Sequence, residues 1–127
     1  MNDCIIGIGS NIRAELNIQE MLALLANGVE IVQISQFVHT KPIGIANQPD
    51  YLNGAVLIRT KLGLDKLSSY LKGLEDRMGR DRGPDKYSPR NIDLDILIWN
   101  NTVVDPDYYT RDFLRDSAAE LGFEIKK

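Results

Sequence analysis

Asp93 and Asp95 stand two residues apart in the stretch Arg80–Trp99, RDRGPDKYSPRNIDLDILIW. On a strand that spacing sends both side chains to one face, about 7 Å apart. Carboxylates so placed repel each other unless a cation sits between them, and paired hard oxygen ligands suit Mg2+ shared with substrate phosphates. The residues just upstream bring the complementary charge. Arg80, Arg82, Lys86 and Arg90 stud a loop broken by Gly83, Pro84 and Pro89, and guanidinium groups match phosphate oxygens in geometry and charge. Either half alone also describes a solvated strand edge or an ordinary charged loop. Their direct succession, with Pro89-Arg90 fixing the re-entry, points to metal-assisted chemistry on a phosphorylated ligand. The loop is then expected to move as a lid.

Several elements must hold these groups in place. From Ile92 to Trp99 the chain alternates, with Ile92, Leu94, Ile96 and Ile98 on one side and Asp93, Asp95, Leu97 and Trp99 on the other, as a half-buried strand does. Asn47–Thr60, NQPDYLNGAVLIRT, enters through a Gln-Pro turn and then alternates as well. Leu52, Val56 and Ile58 take one face, and Tyr51, Asn53, Ala55 and Leu57 take the other. The second face joins an aromatic plate to an amide, which can stack on a flat heterocycle and bond its edge. Tyr-x-Asn is also common on exposed strands, so this pattern gains meaning only beside the two Asp residues.

Cys4–Ile8 is predicted as a central strand stopped by Gly9-Ser10-Asn11. The string GIGSNI is not a dinucleotide fingerprint, because Ile12 stands where the third glycine belongs; the turn either lets backbone approach a ligand or closes a corner. The first helix is entered through Asn17 and Glu20 as a loose capping pair. It carries Ile18, Met21, Leu22 and Leu25 and stops at Asn27-Gly28. Val29–Val38, rich in β-branched residues, predicts one strand, followed by a loop from His39 to Gly44. His39, the single histidine, is expected to be structural or solvated. The second helix is predicted over Leu64–Met78, with Leu67, Leu71, Leu74 and Met78 as its apolar stripe and Gly79 as its stop. Lys72 and Glu75 are expected off that stripe, pointing toward what the basic loop holds. A last helix is expected from Tyr108 to Leu121.

The order strand, helix, strand, strand, helix, strand predicts an α+β, ferredoxin-like split βαβ arrangement. Its antiparallel sheet would carry both helices on one face and leave the other open, with Tyr51, Asn53, Asp93 and Asp95 on the open face.

With 127 residues, 43% hydrophobic and 26% charged, the chain is expected to form one globular domain over residues 1–127. A formal net charge of −3 argues against nucleic-acid or anionic-membrane binding, so the basic loop serves one local anionic ligand. The single cysteine, Cys4, allows no intramolecular disulfide and no Cys/His zinc spacing. With no basic n-region, no signal-peptide core and no run of ~18 apolar residues, the expected location is cytoplasmic. A monomer is expected as well.

These motifs together resemble the 6-hydroxymethyl-7,8-dihydropterin pyrophosphokinase family. The resemblance rests on IGSN at Ile8–Asn11, T-x-P-x-G at Thr40–Gly44, QPDYLN at Gln48–Asn53, and E-x-x-x-G-R-x-R followed by P-R-x-x-D-x-D-I across Glu75–Ile96. It covers nearly the whole chain to Trp99. It implies an enzyme that transfers the β,γ-diphosphate of ATP to a pterin alcohol in folate synthesis. Asp93 and Asp95 would hold two Mg2+ ions, and Arg80 and Arg90 would act with them in catalysis. Lys72, Glu75, Arg80, Arg82, Tyr87, Arg90, Ile96 and Arg111 would contact ATP. Thr40, Ile43, Gly44, Tyr51, Asn53 and Phe113 would form the pterin pocket, with Phe113 as the second plate of a ring sandwich. No general base stands out; the alcohol's proton would leave through metal coordination or to Asp95.

The sequence also departs from the family pattern. A Pro-His-aromatic run that family members carry before Arg-x-Phe is replaced by VDPDYY at Val104–Tyr109, so Asp107 brings a negative charge near the nucleotide side. Tyr87 stands for a tryptophan and Ser88 for a glycine, and family members usually extend further at the C-terminus. A catalytically weak pterin- or nucleotide-binding homologue is therefore the alternative. A regulatory domain of the same fold has only topology behind it.

Overall fold

The strand β1 (Asn2–Ser10) is buried from Cys4 to Ser10, because it pairs on both edges and is packed on both faces. The computed structural model describes residues 1–41, 50–79 and 92–123. After β1 come α1 (Ala14–Leu25), β2 (Glu30–Ile34), β3 (Val38–Thr40), β4 (Tyr51–Thr60), α2 (Leu64–Arg77), β5 (Asp93–Trp99), β6 (Thr102–Val103), α3 (Asp107–Thr110) and α4 (Asp112–Glu120). The sheet order is β2-β4-β1-β5-β6, with β3 also on β4, and each of these pairings is antiparallel. This is the expected α+β, ferredoxin-like arrangement.

The first face of the sheet buries Cys4, Ile6 and Ile8 of β1, Val56 and Ile58 of β4, and Ile92 and Leu94 against Met21 and Leu25 of α1 and Leu67, Leu71 and Leu74 of α2. The stripe of α2 is where its 3.6-residue period puts it, and Gly79, at φ 79°, supplies the left-handed residue that ends the helix. Burial pushes the Cys4 thiol up to about 12, so it stays protonated and unreactive.

Several expected boundaries move. The strand β1 runs through Gly9 and Ser10 instead of stopping before them. The helix α1 begins at Ala14, so Asn17 lies inside its first turn, where its amide donates to the Ile12 carbonyl; the Asn17–Glu20 pair is not its cap. The predicted strand Val29–Val38 is two strands. Three residues lie between Ile34 and Val38, while two lie between their partners Val56 and Asn53. The surplus is absorbed at buried Ser35, whose hydroxyl accepts from the Ala55 N–H at 2.8 Å.

The alternation of β5 holds only to Ile96. Ile5 pairs with Ile98 and Ile6 with Ile96, so Leu97 is the extra residue of a β-bulge. Past it, Trp99 joins the helix-covered core and Ile98 the opposite side, reversing the expected placement of both. A two-residue turn, Asn100-Asn101, both at positive φ, then returns the chain as β6, a hairpin suited to Asn.

The second face is not left open along its whole length. Tyr108, Leu114, Ala118, Leu121 and Phe123 pack there against Ile5, Ala55, Leu97 and Ile98. The expected last helix is thus α3 and α4, and together they cover one part of this face.

Candidate active site

On the uncovered part of the second face, β1 contributes glycines where its neighbours contribute functional side chains. Gly9 is in register with Asn53 of β4 on one side and Asp93 of β5 on the other, and Gly7 with Ala55 and Asp95. The result is a cavity of about 350 Å3. Its floor is Gly7, Ile8 and Gly9, and its walls include Thr40, Lys41, Tyr51, Asn53, Asp93, Asp95, Leu97, Asp105, Asp107, Arg111, Phe113 and Leu114. A methyl group at Gly9 would lie 2.6 Å from Asn53 Oδ1, too close for either to keep its place. The bare strand and the amide beside it are therefore one fitted unit.

The wall built by β3 and β4 carries Thr40, Tyr51 and Asn53. Thr40 pairs with Tyr51 across the strands, and the Asn53 amide donates to Thr40 Oγ1 at 2.5 Å. That bond fixes the amide orientation beside the half-buried Tyr51 ring, so polar edge and aromatic plate are presented together.

The wall built by β5 carries Asp93 and Asp95 on one face, as the alternation predicts. Asp93 is half-buried and Asp95 exposed. Behind them Glu75 of α2 is only 2% exposed and accepts from the Leu94 N–H at 2.8 Å. This corrects the expectation that Glu75 lies off the buried stripe. It is a buried carboxylate joining α2 to the strand that carries the Asp pair, and its removal would leave a buried N–H without that partner. Lys72 is on the exposed side of α2, and Ile96 packs into the helix-side core; neither lines the cavity. His39 is exposed, as expected.

A third wall comes from the segment after β6. The Leu97 carbonyl, at the bulge, accepts from the Val104 N–H at 2.8 Å and the Asp105 N–H at 3.4 Å, and Asp105 and Asp107 line the same cavity as Asp93 and Asp95. Asp105 Oδ1 accepts from the Asp107 N–H at 2.9 Å. Arg111 reaches Asp107 with a 3.8 Å ion pair, and Phe113, at the start of α4, faces the cavity.

Thr40, Tyr51, Asn53, Asp93, Asp95, Arg111 and Phe113, far apart in sequence, thus meet at one cavity. Arg80, Arg82, Tyr87, Arg90, Ile43 and Gly44 lie outside the described residues. Gly7, Lys41, Leu97, Asp105 and Leu114 line the cavity without having been singled out. The signal for the floor was available: two glycines two residues apart on a strand leave one face bare.

The donor chemistry suits Mg2+. Two hard carboxylates side by side on an accessible strand face leave coordination positions for water and substrate oxygens, the usual manner of binding this ion. Among the described residues no group of three or more His, Cys, Asp or Glu side chains is placed to hold a metal ion.

Comparison with known families agrees with this geometry. Residues 5–122 match the family model described as 7,8-dihydro-6-hydroxymethylpterin-pyrophosphokinase (HPPK). The chain belongs to this family. Among individual HPPK relatives, the Bacillus subtilis 2-amino-4-hydroxy-6-hydroxymethyldihydropteridine pyrophosphokinase is 31% identical over 137 aligned positions, covering 99% of this chain and 81% of that protein. The Haemophilus influenzae protein of the same name is 34% identical over 109 positions, 83% of this chain and 67% of its own length. A folate synthesis bifunctional protein of Pisum sativum, named as mitochondrial, is 39% identical over 110 positions, 85% of this chain. The chain spans about a fifth of the length of the plant bifunctional proteins it matches.

Proposed function

We propose that the chain transfers the β,γ-diphosphate of ATP to the hydroxymethyl group of 6-hydroxymethyl-7,8-dihydropterin, giving AMP and the pterin diphosphate, a step of folate synthesis. The observation that carries this is the convergence, in one cavity, of a ring-recognising wall and a paired-carboxylate wall. Family membership supports it.

In this reading Tyr51 and Phe113 sandwich the pterin ring, while Asn53 and Thr40 bond its polar edge. The bare floor at Gly7 and Gly9 admits the flat ring. Asp93 and Asp95 hold Mg2+, two ions in our proposal, which when bound supplies charge neutralisation at the transferring phosphates. The hydroxymethyl oxygen bonds to the β-phosphorus as the bridge to the α-phosphate breaks, AMP departs, and the hydroxyl proton passes to Asp95 or to water. Phosphoryl transfer asks mainly for positioning and charge. Arg111, and Arg80, Arg82 and Arg90 of the basic loop, are the proposed phosphate contacts; Lys72, Glu75, Tyr87 and Ile96 are proposed on the nucleotide side, and Ile43 and Gly44 on the pterin side.

Small molecules are the proposed partners, acting on a monomer. Among the described residues no helix is long and apolar enough to cross a membrane. A reducing compartment, the cytoplasm in our proposal, suits the free thiol of Cys4.

Incubation with ATP, Mg2+ and the pterin alcohol should release AMP in step with ATP loss. Folded protein that binds both ligands yet releases no AMP would reject transfer and establish the binding homologue instead.

A further inference from the structure

The cavity wall that follows β6 sets beside Arg111, a proposed phosphate contact, a carboxylate that the transfer chemistry does not use. Asp107 and Arg111 both line the cavity, and Arg111 Nη2 lies 3.8 Å from Asp107 Oδ2, with the two side chains 40% and 47% exposed. Asp107 opens the turn α3 and Arg111 caps its end. The Arg111 N–H bonds the Asp107 carbonyl at 3.0 Å and the Tyr108 N–H bonds the Asp105 carbonyl at 3.1 Å. Tyr108, buried at the centre of this turn, meets the Phe123 ring edge-on at 5.7 Å. Arg115 clamps the far end, its Nη1 donating to the Tyr108 and Tyr109 carbonyls at 3.1 and 2.6 Å, and is itself paired with Asp112. The turn is thus held on both sides, and its backbone sets Asp107 and Arg111 four positions apart with their side chains within reach of each other.

We propose that Asp107 is an internal competitor for Arg111: its carboxylate occupies the guanidinium in the free protein and yields it to the phosphate oxygens of an incoming nucleoside triphosphate. This rests on the pyrophosphokinase reading for the identity of the anion. A guanidinium that a carboxylate attracts from 3.8 Å must give up that attraction to turn to phosphate, and the released carboxylate is left beside the anion. Asp107 therefore lowers nucleotide affinity and sets the concentration at which the site fills. Because the pair is half-exposed, the effect is modest, about two- to fivefold in affinity, and shrinks with salt.

The test is a double-mutant cycle on ATP binding, measured by calorimetry without pterin at low and high salt. Asp107→Asn should bind ATP about two- to fivefold more tightly than the unaltered chain, with the gain reduced at high salt. In an Arg111→Ala background the same change should give a clearly smaller gain, and Asp107→Glu should return affinity toward that of the unaltered chain. In turnover, Asp107→Asn should lower KM for ATP while kcat holds, which a merely structural role for Asp107 would not produce. Tighter binding that persists undiminished in the Arg111→Ala background, or no tightening at all, would overturn the competition while leaving the pyrophosphokinase reading intact. Absence of ATP binding by every variant and by the unaltered chain would overturn both.

Discussion

The same three strands, β4, β1 and β5, present opposite faces built on opposite terms. Toward α1 and α2 each alternate position is filled: Cys4, Ile6 and Ile8, then Val56 and Ile58, then Leu94, all buried among Leu, Ile and Met side chains. One residue further along each strand, the other face offers Gly7 and Gly9, then Asn53, then Asp93 and Asp95. The filled face gains the apolar burial that stabilises a domain. The second gives up that burial around the cavity, while α3 and α4 seal what is left with Tyr108, Leu114 and Ala118. Because the strands are shared, the site inherits a rigid base without contributing to it. Glu75 is the physical link between the two, a helix-face carboxylate bonded to the backbone between Asp93 and Asp95.

This contrast can be broken from either side. The largest effect is expected for Asp95→Ala, which removes an exposed carboxylate and creates no cavity. Diphosphate transfer should fall by about two to three orders of magnitude with the loss of metal-borne charge stabilisation, while thermal unfolding shifts little; near-normal turnover would remove Asp95 from the metal site. On the filled face, Leu71→Ala should cost about 2–5 kcal/mol in denaturant unfolding, with ligand affinity preserved in the fraction that stays folded. A loss under 1 kcal/mol would mean that the helix-covered core is less tightly packed than its burial indicates. Smallest is Tyr51→Ala, where loss of ring stacking, about 0.5–1.5 kcal/mol, should weaken pterin binding about two- to tenfold and leave ATP binding unchanged. Titrations giving the reverse would place the ring elsewhere.

The periodic parts of this fold were legible in the sequence. Alternation placed Leu52, Val56 and Ile58 opposite Tyr51 and Asn53, and the helical period placed Leu67, Leu71 and Leu74 inward, because burial follows period wherever pairing is regular. What escaped were departures from regular pairing. The bulge at Leu97 exchanges the sides of Ile98 and Trp99, and the surplus residue at Ser35 divides one strand into β2 and β3. Each is fixed by the partner strand, which a single segment does not reveal. Glu75 escaped for a related reason: a carboxylate reads as surface until the N–H of Leu94, 19 residues on, is known to need it. The residues of the candidate site were readable where they share a strand face, as Asp93 and Asp95 do. They were readable only through the family resemblance where they stand between α3 and α4 or on α4, as Arg111 and Phe113 do. The glycine floor was visible as spacing, yet its meaning came from the Asn53 and Asp93 registers on either side.

Diphosphate transfer requires the two walls of the cavity to act on one pair of ligands. Phosphorus-31 NMR of a mixture of the protein, ATP, Mg2+ and 6-hydroxymethyl-7,8-dihydropterin tests this most directly. AMP and a new alkyl diphosphate are expected in equal amounts, with no ADP and with no product when the pterin is withheld. Unchanged ATP, or ADP or inorganic phosphate as the main product, would contradict it.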